Sequence, residues 1–281
     1  MAGPSYSSTS AGNPSKRARF DVDESILLER RLKDSLKPGL DCVIIGINPG
    51  LSSAYHGHNY AGHGNHFWKC LHASGIINFK ATYQDDDRLI EYGIGFTNIV
   101  ERTTRGSADL SKNEIKEGAI MLRRKLALYK PKVAVFNGIG IYEVFSGTKN
   151  FPLGLQSETL DQTLVFVMPS SSPRSSAYPT AQAKMPFYLA LKQLLDSIKA
   201  DEFNQLDKSK VIFPPKVGNN SNSFISRDGA ASSKQNNVLT RKDVGDHESD
   251  TDQPIGSHND TSDTSESTVV LSRYFLDTSD D

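Results

Sequence analysis

Four short apolar runs along the chain are separated by longer segments whose apolar residues recur at helical spacing. Each run is rich in β-branched residues and is too short for a helix, which is typical of a buried strand in a parallel sheet. The predicted strands are residues 41–47, 94–100, 133–137 and 164–168. The predicted helices are residues 23–36, 66–74, 111–129, 139–145 and 180–198.

Local signals support the ends of several of these helices. Ser111 and Glu114 have the spacing of a capping box at the start of the third helix. Gly75 follows the second helix, in a position where glycine commonly ends one. Pro186 lies inside the last segment and marks either its first turn or a kink. The order of strands and helices predicts a three-layer α/β/α fold with a central, mostly parallel four-stranded sheet.

Composition divides the chain into a folded middle and two polar ends. Residues 1–20 and 201–281 are rich in small polar residues and lack apolar periodicity, so we expect both tails to be disordered. Residues 21–200 form the predicted domain. Residues 37–199 contain 18 Lys and Arg against 13 Asp and Glu, whereas residues 201–281 contain 8 against 15. A basic body with an acidic, Ser-rich tail favours binding of a polyanion by the body.

Two short segments in the polar ends each allow two interpretations. Residues 16–19 (KRAR) are either a nuclear import signal or phosphate contact, or a solvated charge run. Residues 268–272 (TVVLS) either add a strand to a partner's sheet or form a chance apolar cluster. Cys42 and Cys70 lie in apolar segments, so no disulfide framework is indicated and a reducing compartment is expected. No apolar run reaches the ~18 residues of a membrane span.

Three polar loops follow predicted strands and are therefore expected to leave the same edge of the sheet. They contain Asn48, Thr103 with Thr104, and residues 170–179, and they carry no pair of carboxylates for acid–base catalysis. Gly and Ser in such loops allow backbone amides to approach phosphate oxygens. Tyr60 and Phe67 lie nearby in sequence and can stack on a nucleobase. The loops therefore indicate a site for nucleic acid.

Several separated motifs together resemble the thymine DNA glycosylases, the mismatch-specific branch of the uracil-DNA glycosylase superfamily. The resemblance covers about residues 20–199. Its motifs are GINPG at 46–50, the glycine-rich segment 57–68 ending in HFW, GFTN at 95–98 with RTT at 102–104, and MPSSS at 168–172 with Arg174. It implies a parallel sheet between helices and a monofunctional enzyme without a cofactor. The implied reaction hydrolyses the N-glycosidic bond of thymine or uracil mispaired with guanine, and in vertebrate members also that of 5-formylcytosine and 5-carboxylcytosine.

The resemblance also implies roles for individual residues at the reacting centre. Asn48 positions the attacking water; the alternative is an Asn selected for the turn before Pro49. Thr104 contacts that water or the sugar. Tyr60 covers the extruded base, unless it only packs in the core. Asn98 bonds the pyrimidine edge, unless it only satisfies backbone at the strand end.

Further residues are implied in DNA binding. Arg174 fills the gap that the extruded nucleotide leaves, unless it is an ordinary surface arginine, and Pro173 and Pro179 present carbonyls to the unpaired guanine. Serines of the loops are expected to hold the flanking phosphates. The remaining members of the expected substrate-binding set are Ile47, Gly50, Asn65, Ser107, Asn137, Ser170, Ser171 and Ser172.

The chain departs from the family pattern at a few positions. Asn59 stands where relatives have a second histidine after His58, so any assistance that this histidine gives to the departing base is not expected here. Ala177 replaces a glutamine that helps to probe the guanine side in vertebrate members. Pro173 and Pro186 also differ, and the first stiffens the loop that enters the duplex. The histidines of residues 56–66 are spaced by two, five and three residues without carboxylate or thiol partners, so no metal site is expected.

The sequence thus favours a mismatch glycosylase that initiates base excision repair in the nucleus. The alternative is a non-catalytic protein that binds mismatched or modified DNA and recruits repair or transcription partners. Expected partners are duplex DNA with G·T or G·U mispairs, a small ubiquitin-like modifier and a downstream abasic-site endonuclease. A monomer without membrane contact is expected.

Overall fold

The computed structural model describes residues 20–214. The expected N-terminal tail with its basic cluster, and the apolar patch at 268–272, lie outside the described residues. Within this part of the chain, six strands form one sheet in the order β2-β1-β3-β5-β4-β6. The strands are β1 (Cys42–Gly46), β2 (Ile94–Asn98), β3 (Val133–Asn137), β4 (Leu153–Leu160), β5 (Thr163–Met168) and β6 (Ile212–Phe213).

Six α-helices accompany these strands, together with short 3₁₀ turns. The helices are α1 (Glu24–Glu29), α2 (Leu51–His56), α3 (Phe67–Ala73), α4 (Lys112–Tyr129), α5 (Ile139–Ser146) and α6 (Ala181–Lys199). Helix α3 packs with α6, and α4 packs with α5. The expected three-layer α/β/α fold is confirmed.

The four predicted strands are present and form the parallel part of the sheet. Strand β1 pairs in parallel with both β2 and β3, and β3 pairs in parallel with β5. Residues of β1 and β3 are buried throughout, which explains why their sequences are continuous apolar runs. The sheet therefore brings the carboxyl ends of β1, β2, β3 and β5 to one edge.

The prediction of four strands was wrong by two, because β4 and β6 were missed. Strand β4 pairs antiparallel with β5, and its second half is polar and exposed, so it lacks an apolar signature. Strand β6 has only two residues and pairs with Leu153 and Gly154. Because β6 belongs to the sheet, the sheet extends beyond residue 200, the expected end of the domain.

The first predicted helix, residues 23–36, is also shorter than expected. Asp23 caps it by accepting a hydrogen bond of 2.8 Å from the Ser25 amide, but the backbone becomes extended at Arg30. Ser35 then pairs antiparallel with Phe96, with two backbone hydrogen bonds of 2.9 Å. The segment is extended despite its helical periodicity. Pairing with the outer edge of β2 satisfies backbone N–H and C=O groups that an edge strand otherwise leaves exposed.

Two other details complete the comparison with the predicted elements. Helix α2 lies in the segment after Asn48 that we expected to be a loop. Helix α6 runs without a break through Pro186, and the capping box formed by Ser111 and Glu114 is present at α4. No helix within residues 20–214 combines the length and the apolar character required to cross a membrane.

Helix α4 approaches the loop after β2 so closely that its glycine leaves no room for a side chain. A Cβ atom at Gly118 would overlap the carbonyl oxygen of Ile99. We expect Gly118→Ala to lower the free energy of unfolding by about 2 kcal/mol, although Ala normally favours a helix over Gly by ~1 kcal/mol. Urea denaturation measures the change. Lys116→Ala, at an exposed position of the same helix, is the control, and a Gly118→Ala protein as stable as the control would contradict the proposed close packing.

Candidate active site

The loops that follow β1 and β2 are joined to each other by backbone hydrogen bonds beyond the ends of the strands. Ile99 and Val100 donate to the carbonyls of Gly46 and Ile47, at 2.9 and 2.8 Å. The amide of Thr104 then donates to the Pro49 carbonyl at 3.1 Å, and Gly50 forms a parallel bridge with Thr104. The two loops therefore form one rigid unit at the edge of the sheet.

Asn48 lies in this unit, and its amide is oriented by its neighbours. Its Nδ2 donates to the Arg102 carbonyl at 2.8 Å and to the Thr104 hydroxyl at 2.7 Å, with a longer contact of 3.2 Å to the Pro49 carbonyl. A carbonyl oxygen can only accept, so the contact with Arg102 identifies the nitrogen end of the amide. The oxygen Oδ1 is thereby left as an acceptor on a half-buried side chain.

Thr104 fixes the direction of its own hydroxyl while it holds Asn48. The hydroxyl donates to the Gly106 carbonyl at 2.8 Å, so its lone pair faces the Asn48 amide. Thr104 is 2% exposed. The predicted neighbourhood of Asn48 and Thr104 is therefore present, with Thr104 as the residue that orients the amide.

Arg102 connects this unit to the start of helix α4. Its guanidinium pairs with both oxygens of Glu114, at 2.8 and 3.2 Å, and also donates to the Asp109 carbonyl at 3.1 Å. The hydrogen bond from Arg102, aided by the Ser111 amide, lowers the pKa of Glu114 to about 2. Because Asn48 donates to the Arg102 carbonyl, the ion pair also holds in place the backbone to which Asn48 is bound.

Two residues predicted to contact a base meet beside Gly46, where no room is left for a side chain. A Cβ atom at Gly46 would overlap Oδ1 of Asn98 and would lie 3.4 Å from the hydroxyl of Tyr60. Asn98 is the residue opposite Gly46 in the parallel register. Asn98 and Tyr60 therefore converge at this point because position 46 has no side chain.

Tyr60 is held by packing as well as by a hydrogen bond. Its ring stacks on Phe67, with centroids 4.2 Å apart and planes 18° from parallel, and its hydroxyl bonds the side chain of Asn137. Burial raises the pKa of its hydroxyl well above the usual value. Its φ of 55° is a conformation that few residues other than glycine adopt, so the surrounding contacts hold it in place. Core packing, the alternative to a role over the base, thus accounts for one face of the ring.

Asn137 and Ser171 form a buried reciprocal pair at the ends of β3 and β5. Asn137 Nδ2 donates to the Ser171 hydroxyl at 3.0 Å, and the Ser171 amide donates to Asn137 Oδ1 at 2.9 Å. They are 4% and 1% exposed. The phosphate contact expected of Ser171 and the substrate contact expected of Asn137 stay predictions, since both side chains bind each other here. Together they anchor the loop that follows β5.

The rest of that loop forms a turn at the surface. Ser170 and Ser172 hydroxyls accept from the amides of Ser172 and Arg174, both at 3.2 Å. The Ser175 amide donates to the Ser172 carbonyl, also at 3.2 Å, which closes a β-turn with Pro173 and Arg174 in the centre. Pro173, Arg174 and Pro179 are exposed.

The remaining predicted site residues lie around these groups. Asn65 Oδ1 accepts from the Phe67 amide at 3.0 Å and so supports the first turn of α3. Gly50 is exposed at the start of α2, and Ile47 is half-buried beneath Asn48. Ser107 is half-buried in a 3₁₀ turn beyond Thr104.

Asn59 and His58 are both bound by a buried aspartate from the polar segment between α3 and β2. Asp86 is 2% exposed; its Oδ1 lies 2.6 Å from His58 Nδ1, and its Oδ2 accepts from the Asn59 amide at 2.6 Å and from Asn59 Nδ2 at 3.1 Å. Asn59 thus holds the loop to Asp86 through its backbone amide and its Nδ2.

The histidines of this loop point to separate partners. His58 binds Asp86, His66 binds Lys184, and the ring of His56 packs on Tyr83 with centroids 4.7 Å apart. Ligand atoms of His58, Asp86 and Asp87 lie within 4.8 Å of one another. Hydrogen bonds from His58 and Asn59 reach both oxygens of Asp86.

A cavity with a volume of about 1090 Å³ opens beside the site. Tyr60 and Asn65 line it, but Asn48 and Thr104 do not. Its lining also includes Lys69 and Lys80 and contains no carboxylate. It therefore extends the site toward α3 as a surface suited to an anion.

Lys184 is a residue of the site that the sequence did not indicate. It is 0% exposed in helix α6, and its ammonium lies 2.9 Å from both His66 Nδ1 and the Ser172 carbonyl. Burial, with a small opposing effect of Cys70, lowers its pKa. Its position at helical spacing with Ala181 and Leu191 on the apolar face was the available signal.

Comparison with known proteins agrees with this architecture. Residues 34–194 match the model of the uracil DNA glycosylase superfamily. A G/U mismatch-specific uracil DNA glycosylase from Schizosaccharomyces pombe is 36% identical over 199 residues, which are 67% of this chain and 58% of that protein. The chain thus matches less than two thirds of that relative's length.

One solved structure was also found to be similar. It is a solution NMR structure from Methanosarcina acetivorans whose assignment as a uracil DNA glycosylase is provisional. Its sequence identity is 19% and its TM-score is 0.40, covering 59% of this chain and 98% of that one. The match of residues 34–194 to the family model spans more than half of the chain, so the chain belongs to the uracil DNA glycosylase superfamily.

Proposed function

We propose that this protein is a monofunctional mismatch DNA glycosylase that hydrolyses the N-glycosidic bond of uracil or thymine opposite guanine. The observation that carries the proposal is the orientation of Asn48, whose nitrogen is bound and whose oxygen is left to accept a hydrogen bond from water. The name of the S. pombe relative supports the G·U part of the proposal. Excision of thymine, 5-formylcytosine and 5-carboxylcytosine rests on the family resemblance.

An amide at the reacting centre suits a dissociative hydrolysis. The oxygen of Asn48 can align a water but cannot remove its proton in advance, so bond cleavage must precede attack. The base departs as an anion, the water adds to the cationic sugar, and the proton that the water loses passes through solvent to the base anion. Partners of Asn48 are two carbonyls and a hydroxyl, all neutral, so its orientation does not change with protonation in the physiological range.

The substrate base must leave the duplex before it can reach Asn48. Extrusion costs a few kcal/mol and least for a mispair, so mispairs are selected partly before the chemical step. Asn98 and Tyr60, which meet beside Gly46, are the proposed contacts of the pyrimidine. Arg174, in the centre of the exposed turn, is the proposed side chain that enters the duplex.

The cellular setting is proposed from the sequence alone. The basic cluster at residues 16–19 supports nuclear localisation. The acidic C-terminal segment supports contacts with repair partners, among which we include a small ubiquitin-like modifier and an abasic-site endonuclease. We propose a monomer in solution.

Asn48→Ala is expected to reduce single-turnover excision of uracil from a G·U duplex by about 10³-fold, because the water loses its acceptor. Duplex affinity should stay unchanged. The assay counts alkali-labile sites on G·U, G·T, G·5-formylcytosine, G·5-carboxylcytosine and A·U duplexes. Asn113→Ala, at an exposed position of α4, is the control. Wild-type protein that binds these duplexes without cutting any would instead identify a non-catalytic DNA-binding protein.

Thr104→Val should lower the same rate about tenfold, because Asn48 loses one of the two short bonds that orient it. Thr104→Ser retains the hydroxyl and should recover most of the rate. Both proteins should melt near the wild type, since valine matches threonine in shape. Equal rates for the Val and Ser variants would show that the hydroxyl has no part in orienting the amide.

Gly46→Ala should reduce excision without weakening DNA binding, because the added methyl group displaces the Asn98 side chain that is proposed to bind the pyrimidine edge. Single-turnover rates at saturating protein separate a defect in holding the extruded base from a loss of affinity for the duplex. Gly106→Ala is the matched control, since a Cβ there meets no atom within 4 Å. A Gly46→Ala enzyme with normal rates would place the base elsewhere.

A further inference from the structure

Lys184 is a buried cation whose surroundings do not include an acidic partner. Its side chain is fully buried on the apolar face of α6, and no carboxylate within residues 20–214 forms an ion pair with it. The polar atoms at its ammonium are His66 Nδ1 and the Ser172 carbonyl, and Cys70 is the other titratable group that acts on it. Such burial disfavours the folded state relative to an apolar residue of equal size. The lysine therefore calls for an explanation other than stability.

The two bonds of Lys184 join two segments of the site. Ser172 begins the turn that carries Pro173 and Arg174, and its carbonyl accepts from both Lys184 Nζ and the Ser175 amide. Both lone pairs of that oxygen are thus used, which fixes the plane of the peptide between Ser172 and Pro173. The direction in which Arg174 leaves the turn depends on that plane.

His66 brings the second segment into the same network. Its amide donates to the Ser171 carbonyl at 3.0 Å, while its Nδ1 accepts from Lys184. Burial, followed by the charges of Lys184 and Lys69, lowers the pKa of the His66 imidazole, which keeps the ring neutral. His66 ends the loop that carries Tyr60 and begins α3. One ammonium thus connects the turn with Arg174 to the loop with Tyr60.

We propose that Lys184 is a positioning residue for base extrusion, which holds the Arg174 turn and the Tyr60 loop in the geometry they need on DNA. The role rests on the proposed glycosylase function. Loops that are already ordered lose less conformational entropy when the duplex binds, and they place both groups together. Lys184 contacts neither substrate nor reacting atoms, so it acts through Arg174 and Tyr60.

The test uses the full chain and the variant Lys184→Met, which keeps the length of the side chain and removes its donors. We expect extrusion to fall about tenfold, measured by the fluorescence of 2-aminopurine beside a G·U mispair, and single-turnover excision to fall equally. The thermal midpoint should stay the same or rise, because an apolar side chain replaces a buried cation. Lys192→Met, which loses only an exposed ion pair with Asp196 on the same helix, should match the wild type.

A double-mutant cycle with Arg174→Ala separates positioning from other effects. If Lys184 acts through the Arg174 turn, Lys184→Met should change extrusion less than twofold in the Arg174→Ala background. Independent tenfold losses from the two substitutions would instead multiply to about 100-fold in the double variant. Full multiplication, or normal extrusion by Lys184→Met, would overturn the proposal. Wild-type protein that excises no base would instead contradict the proposed glycosylase function, whatever the variants do.

A second variant covers the case in which Lys184→Met does not fold. Lys184→Gln retains an amide donor with a shorter reach and should keep the fold with an intermediate extrusion defect. If both variants are unfolded at 25 °C, Lys184 is needed for stability and the positioning role is rejected. If Lys184→Gln is folded and extrudes the base as well as the wild type, the ammonium is not needed and the proposal fails as well.

Discussion

The parallel pairing of β1 with β2 is the constraint on which the site depends. It continues past the strand ends as backbone hydrogen bonds from residues 99, 100 and 104 to residues 46, 47 and 49. Asn48 thus rests on two loops that behave as one extension of the sheet. A side chain that must hold a water within hydrogen-bonding distance benefits from such a rigid support, because small displacements of an aligned group reduce the rate by large factors. The buried sheet supplies rigidity that a free loop does not have.

The parts of the fold that the sequence predicts are those with a uniform environment. Strands β1, β2, β3 and β5 are buried along most of their length, so each can be recognised in the sequence as an apolar run. Strand β4 is half exposed and β6 is two residues long, and neither leaves a periodic signal. The first helix was predicted to be too long, because periodicity reports only on neighbouring residues. The pairing of Ser35 with Phe96, which ends the helical path, involves residues 61 positions apart (96 − 35).

The same distinction applies to the site. Asn48, Thr104 and the loop after β5 could be placed at one edge of the sheet because each follows a recognisable strand and forms part of a recognisable motif. Asp86 and Lys184 were missed because a charged residue is expected to be solvated, and only the folded chain shows that they are buried. Residues that support others therefore need three-dimensional information, whereas residues that follow a strand can be located from the sequence.

Pro173 has a consequence for the thermodynamics of DNA binding. It occupies the second position of the turn closed by Ser172 and Ser175, where the fixed φ of proline matches the turn. The unbound loop therefore samples fewer conformations, and less of the entropy change on association comes from the protein. Calorimetry of this chain with a mispaired duplex should thus record a smaller entropic penalty than that of a Pro173→Ala chain, even where the two affinities are close.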